Sequence, residues 1–138
     1  MPRFVLPYLA LFDPIDRGAR FRWRLAGTEV VNRFGRDPTG RMAEEVLSDD
    51  YLAFVTALVQ QACRREVPVY SVAAFRWEGA RSMMVSRLYV PLGTAETGVT
   101  QILAAHDFDS ASRAGRLPAA LLRDARRFEE LTRLEVPY

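Results

Sequence analysis

The chain has 138 residues, 49% hydrophobic and 26% charged, proportions that fit one soluble globular domain and exclude a largely disordered or fibrous protein. All 19 basic residues are arginine and face 17 acids, so the net charge of +2 gives no field that calls for nucleic acid, whatever the sequence pI near 9.0 implies. The one cysteine, Cys63, excludes an internal disulfide and a cysteine-rich zinc site, and no apolar run is long enough to cross a bilayer or read as a signal peptide, which makes the cytoplasm the expected compartment.

Phe4 to Phe12 reads as a first strand in which Pro7 must sit at an edge or a break in the ladder. Asp13 to Gly18 turns the chain into a second strand. There Phe21, Trp23 and Leu25 alternate with Arg20, Arg22 and Arg24, the period-2 pattern of a strand with one face on a core and the other in water. A solvated strand face that resists edge pairing accounts for the three arginines without a nucleic-acid role. Gly27 ends the strand, Thr28 can cap the next segment, and Glu29 to Phe34 is a short helical run closed by Gly35. Pro38 then keeps Asp37 out of helical geometry, while the Asp37 carboxylate can bond forward to the backbone and Gly40 permits a tight turn.

This succession resembles the PAS domain family. The likeness is to bacterial PAS modules written Phe-Arg-Tyr-Arg-Leu-x-Gly-Thr-Glu-Ile and, further on, Gly-Arg-Asp-x-Thr-Gly-Arg. Here those positions read Phe21-Arg22-Trp23-Arg24-Leu25-Ala26-Gly27-Thr28-Glu29-Val30 and Gly35-Arg36-Asp37-Pro38-Thr39-Gly40-Arg41. The resemblance spans roughly Phe4 to Phe108. It implies an α+β fold built on a five-stranded antiparallel sheet in spatial order 2-1-5-4-3, with short helices packed over one face.

Downstream, Ala43 to Leu47 looks like a single helical turn, and Ser48 or Asp49 can cap a longer helix to about Arg65, in which Leu52, Val55, Leu58, Val59 and Ala62 recur at helical spacing as a core stripe. Val67 to Trp77, Arg81 to Leu92 and Val99 to Phe108 read as three strands of a meander, joined by the turns Glu78-Gly79-Ala80 and Gly93 to Gly98. These strands are apolar on both faces, and the PAS helices cover only one. The expected cover for the other is a C-terminal amphipathic helix, Leu117 to Leu134, with Leu117, Leu121, Ala125, Phe128 and Leu131 on one stripe, in the same chain or a dimer mate. The resulting organisation is a PAS-like domain over 1–109, a linker over 110–116 and a helix over 117–138.

The chemistry-bearing residues are few. Neither a phosphate loop nor a second histidine to join His106 in a triad or metal site is present. His106 shares a predicted strand face with Ile102, Ala104 and Phe108, where it reads as a hydrogen-bonded strand residue and not a haem ligand. Cys63 lies on the long helix behind Gln60-Gln61-Ala62, outside the Asn-Cys-Arg-Phe-like stretch that flavin photochemistry requires in light-sensing PAS proteins. Haem and flavin are therefore disfavoured, and the cofactor is left open. The carboxylate pairs Glu44-Glu45, Asp49-Asp50 and Glu129-Glu130 are adjacent in sequence, so on a helix they diverge by about 100° and do not converge on one substrate.

These residues describe a non-catalytic sensory and signalling module of PAS type. A small apolar ligand would sit between sheet and helices, against Trp23, Phe34, Val55, Val59, Met84, Leu88 and His106, each of which could equally be plain core. The signal would leave through Asp107-Phe108-Asp109 to another protein, the chain acting as a homodimer or on a separate effector, with neither nucleic acid nor membrane as partner. Alternatively the chain is a piece of a longer protein. Two other readings compete: a small enzyme of a different α+β cone fold with an acidic pocket residue, and a dimerisation module that holds no ligand.

Overall fold

The computed structural model describes residues 5–47, 49–76, 82–108 and 128–137. The turn Glu78-Gly79-Ala80, the linker at 110–116, Asp109, Ser48 and the stripe residues Leu117, Leu121 and Ala125 lie outside them.

A single 3₁₀ turn, Leu6–Tyr8, precedes the first strand, β1 (Leu9–Ile15). The expected start at Phe4 is thus moved forward by Pro7, whose fixed φ and missing amide proton suit the opening position of a helical turn and not a ladder. Pro14 lies within β1, but β1 pairs with its second neighbour only over Leu9–Phe12, so the absent amide breaks no bond on that side. The turn Asp16 to Ala19 leads into β2 (Arg20–Ala26).

Between β1 and β2 the register shifts at Leu11/Phe12, so that Phe12 opposes Trp23 while Leu11 opposes Leu25. A bulge of this kind adds one residue to one strand and reverses the face of all residues beyond it. Phe21 and Trp23 accordingly lie in the core, whereas Leu25, expected beside them, is 59% exposed on the far face.

Gly27 is the hinge into α1 (Thr28–Phe34). Its amide donates to Leu9 O at 2.7 Å, and a Cβ there would lie 2.4 Å from Pro7 O and 2.5 Å from Leu6 O, so the crossing of two backbones requires glycine. Gly35 ends the helix at φ 80°, its amide bonded to Val31 O. In the following turn the Asp37 carboxylate accepts from Thr39 N at 3.0 Å and Thr39 Oγ1 at 2.6 Å, as the turn chemistry predicts. Gly40 N then donates to Trp23 O and Trp23 N to Arg41 O, which lays this segment along the outer edge of β2.

After the one-turn helix α2 (Ala43–Val46), α3 (Asp49–Arg65) crosses the sheet and buries Tyr51, Phe54, Val55, Leu58, Val59 and Ala62 against it. Three strands come next as a meander: β3 (Val69–Arg76), β4 (Ser82–Thr94) and β5 (Gly98–Phe108). The core centres on Phe12, whose ring lies 4.6 Å from Phe21, 5.5 Å from Trp23 and 5.6 Å from Tyr89, centroid to centroid.

Among the described residues the sheet has six strands, not five, in the order 2-1-5-4-3-6. Residues Phe128–Glu135, expected as the end of an amphipathic helix, form β6 and pair antiparallel with β3 from Val69↔Glu135 to Phe75↔Phe128. The reason lies in the pairing partner: β3 would otherwise leave a row of backbone donors and acceptors open, and an edge template outweighs the weak preference of Glu, Leu and Arg for a helix. The outer face therefore lacks the cover expected from this segment: Leu25, Met84, Leu131 and Leu134 are 43–59% exposed.

Trp23→Ala should cost about 3–5 kcal/mol of stability and Leu25→Ala under about 0.5, although one strand carries both; urea unfolding of the two variants checks the face reversal. Gly27→Ala should destabilise by about 2 kcal/mol in the same assay, since both clashing groups are main-chain carbonyls.

Candidate functional site

The layer between sheet and α3 is apolar except at one place. In β4, Val85, Arg87, Tyr89 and Pro91 are buried and share one face. The β4–β5 register sets Arg87 opposite His106 and Tyr89 opposite Ala104, and directly opposed residues in an antiparallel pair project to the same side. Arg87, only 3% exposed, thus sits inside the protein beside His106 and beneath α3.

Burying a guanidinium is costly unless its surroundings compensate. Two residues of α3 do so. Arg87 Nη2 donates to the Tyr51 hydroxyl. The guanidinium carbon also lies 5.4 Å from the Tyr51 ring centroid and 5.3 Å from that of Phe54, both within cation–π range. Tyr51 and Phe54 lie three apart on the helix, the spacing that presents both to one partner.

His106 accepts a defined role from its neighbours. Its Nδ1 lies 3.1 Å from Tyr8 O, and since a carbonyl only accepts, Nδ1 carries the proton and Nε2 is left as an acceptor. The ring stacks on Phe108 at 5.9 Å with 5° between planes, and Phe108 in turn lies under the Arg33 guanidinium of α1 at 4.9 Å. Burial, followed by the charge of Arg87, pushes the His106 pKa down to about 3. Burial likewise raises the Tyr89 and Tyr51 hydroxyls, Arg87 opposing it in both. Apart from the charge of Arg87, the site holds neutral groups: the Tyr51 and Tyr89 hydroxyls, which can donate or accept, and the His106 Nε2 acceptor.

Nothing in this arrangement pairs a nucleophile with a base. The Cys63 thiol is pushed up by burial to about 11 and stays protonated at neutral pH. Among the described residues, the fully buried polar side chains are Ser71 and Arg87, and no cluster of His, Cys, Asp or Glu could hold a metal ion. No helix among them is long and apolar enough to cross a membrane. What Arg87 and its neighbours offer is a fixed cation beside hydrogen-bonding hydroxyls and an imidazole.

Of the residues expected at a ligand, Trp23, Val55, Val59 and His106 belong to this inner layer. Met84 and Leu88 do not: they alternate with Val85, Arg87 and Tyr89 and so face outward, Met84 being 43% exposed. Phe34 ends α1, and its side chain is outside the described residues. Arg87, Tyr51 and Tyr89 are the polar members that sequence reasoning missed. The available signal was the parity of Arg87 with Val85 and Tyr89, a charge in an otherwise apolar row.

Away from Arg87, a surface groove of about 550 Å³ runs along the other side of α3 past Ala53, Ala57 and Gln60. Its rim carries the exposed pair Arg20–Glu44 at 2.5 Å. Arg24 pairs with Asp13 at 2.9 Å and Arg41 with Glu45 at 3.9 Å, so much of the basic stripe on β2 is matched locally by acids.

The architecture is PAS-like. Among solved structures, the chain is similar to a light-oxygen-voltage domain from work on a flavin analogue, a member of the PAS family, with a TM-score of 0.52 at 14% identity over 77% of this chain and 79% of that one. At that identity the likeness establishes the fold alone. No protein-family model matches the chain, and no curated protein does.

His106 should make stability depend on pH. Its folded pKa lies below the unfolded value near 6.5, so the unfolded chain binds the extra proton between the two values, and stability is lost as pH falls below about 6.5. From pH 7 to pH 5, above the range of most carboxylates, the loss should be about 2 kcal/mol, and His106→Phe should flatten it in denaturant titrations at the two pH values. Tyr51→Phe removes one partner of a buried charge and should cost about 1–3 kcal/mol.

Proposed function

We propose that this chain is a non-catalytic sensory and signalling module that binds a small ligand in the layer between sheet and α3. The observation that carries the reading is the buried Arg87, set within a PAS-like fold and surrounded by Tyr51, Phe54, Tyr89 and His106. A core needing only stability is served better by an apolar residue, because a buried charge costs desolvation that its partners recover only in part. A binding site gains from the same residue, since a fixed cation and oriented hydroxyls recognise a ligand that carries a carbonyl or carboxylate on an apolar body. Trp23, Val55 and Val59 supply apolar walls.

Transmission would follow the contacts already described. His106 stacks on Phe108, and Phe108, the last residue of β5 and its exit, meets Arg33 of α1. A ligand that moves His106 would alter that exit, and the response would pass to a second copy or to a separate effector in the cytoplasm through apolar patches of the outer face such as Leu25 and Met84.

Native mass spectrometry of protein purified gently from its host, followed by denaturing extraction, tests the reading. The expected result is a stoichiometric small molecule that is lost in Arg87→Met while the fold, checked by circular dichroism, remains. An empty wild-type protein under the same conditions would leave Arg87 a structural residue and favour a module that only associates with proteins.

A further inference from the structure

β6 is attached to the sheet in a way no other described strand is. Its inward side chains from Glu129 to Glu135 are Glu130, Arg133 and Glu135, all ionic, and its outward residues Leu131 and Leu134 are 48% and 54% exposed. Apart from the β3 ladder, a set of polar ties holds it. Ser71 Oγ donates to Glu130 at 2.6 Å, and Arg133 pairs with Glu130 at 3.0 Å. The amide of Gln61 on α3 bridges the strand, its Nε2 donating to Glu135 and its Oε1 accepting from Arg133, while Arg65 pairs with Glu135 at 3.0 Å. Of these ties the Arg65–Glu135 pair is exposed and the Glu130 contacts are part-buried, each worth about 1 kcal/mol, and between Glu129 and Glu135 β6 places no apolar side chain on the inward face, so it can leave β3 without taking one out of the core. The register shift between Val72 and Ala73 further interrupts the ladder.

Covalent connection does not decide whose β6 fills the place. β5 and β6 lie three strand spacings apart at the same end of the sheet, about 14 Å at ~4.8 Å each. Residues 109–127 join them. A chain of that length reaches roughly 60 Å when extended, several times the gap.

We propose that the β3 edge is a docking site for the β6 strand of a second copy of this chain, and that two copies exchange β6. Every contact that seats β6 in its own chain is available unchanged in the exchanged dimer: Ser71 for Glu130, and Gln61 and Arg65 for Glu135. Such an exchange is a low-cost route to association, because it needs no new interface chemistry. The proposal is independent of whether a ligand binds beside Arg87.

A directed disulfide distinguishes the two arrangements. Tyr70 and Leu134 are directly opposed, and the separation of opposed Cα atoms in an antiparallel pair suits a disulfide. In a Cys63→Ala background, Tyr70→Cys and Leu134→Cys are made in separate full-length chains of different mass, mixed at graded concentrations and oxidised mildly. The expected product is a mixed disulfide dimer whose yield rises with concentration, and Glu135→Gln, placed in both chains, should raise its rate of formation several-fold. The double variant, Tyr70→Cys with Leu134→Cys in one chain, shows whether β6 lies on β3 at all. If it closes only within the chain and the separate variants never join, the exchange is refuted. If neither preparation forms a bond, the docking of β6 on β3 fails and the proposal with it. A dimer that persists without the mixed disulfide would mean a different interface and would equally overturn it.

Discussion

A guanidinium held inside the protein constrains much of the inner layer. Arg87 must keep its hydrogen bond to Tyr51 and its place under Tyr51 and Phe54, which ties the first turns of α3 to the middle of β4. That tie sets the helix over the sheet at the point where β4 meets β5. The Phe12 cluster then fills the space toward β1 and β2, and His106 with Phe108 fills it toward α1. Aromatic packing supplies the bulk of the stabilisation, but it is tolerant of small sliding movements, whereas a buried charge is not. The polar contact therefore contributes position more than energy.

Much of the fold could be read from the residues because its punctuation is local. Gly35 and Asp37 act through residues two to four away, and Gly27 and Gly40 break or turn the chain where they stand although their amides reach back to Leu9 and Trp23, so the order of strand, short helix, turn and helix follows from the chain itself. The meander of β3, β4 and β5 was legible for the same reason. Leu25 was not, because the bulge that turns it outward arises from its register against Leu11 and leaves no mark in an alternating strand. β6 was misread for a related cause. Its leucines recur at a spacing that suits a helix, and its strand form depends on the edge of β3, more than fifty residues earlier in the chain.

The site was legible only in its apolar part. Trp23, Val55 and Val59 announce themselves by size and period, and His106 by being the one histidine in an apolar row. Arg87 does not, since a charged residue on a strand is ordinarily a solvent-facing one, and its partner Tyr51 lies 36 positions away. In strands that are apolar on both faces, composition cannot assign a face. Met84 and Leu88 were placed inward on that ambiguity, and the row containing Val85 and Tyr89 took the core because Tyr89 reaches the Phe12 ring.

The two ends of the sheet differ. Along β2, the amide and carbonyl of Trp23 and the bridge from Arg22 to Met42 are taken up by the segment after α1, so the middle of this margin is already occupied. At the opposite end β6 is the last strand among the described residues. A sheet occupied on one side extends more readily on the other, and a second sheet of the same kind that met it there would close the pair. The polarity of the sheet thus permits couples and disfavours fibrils, a protection against runaway polymerisation that comes from where one turn after α1 happens to lie.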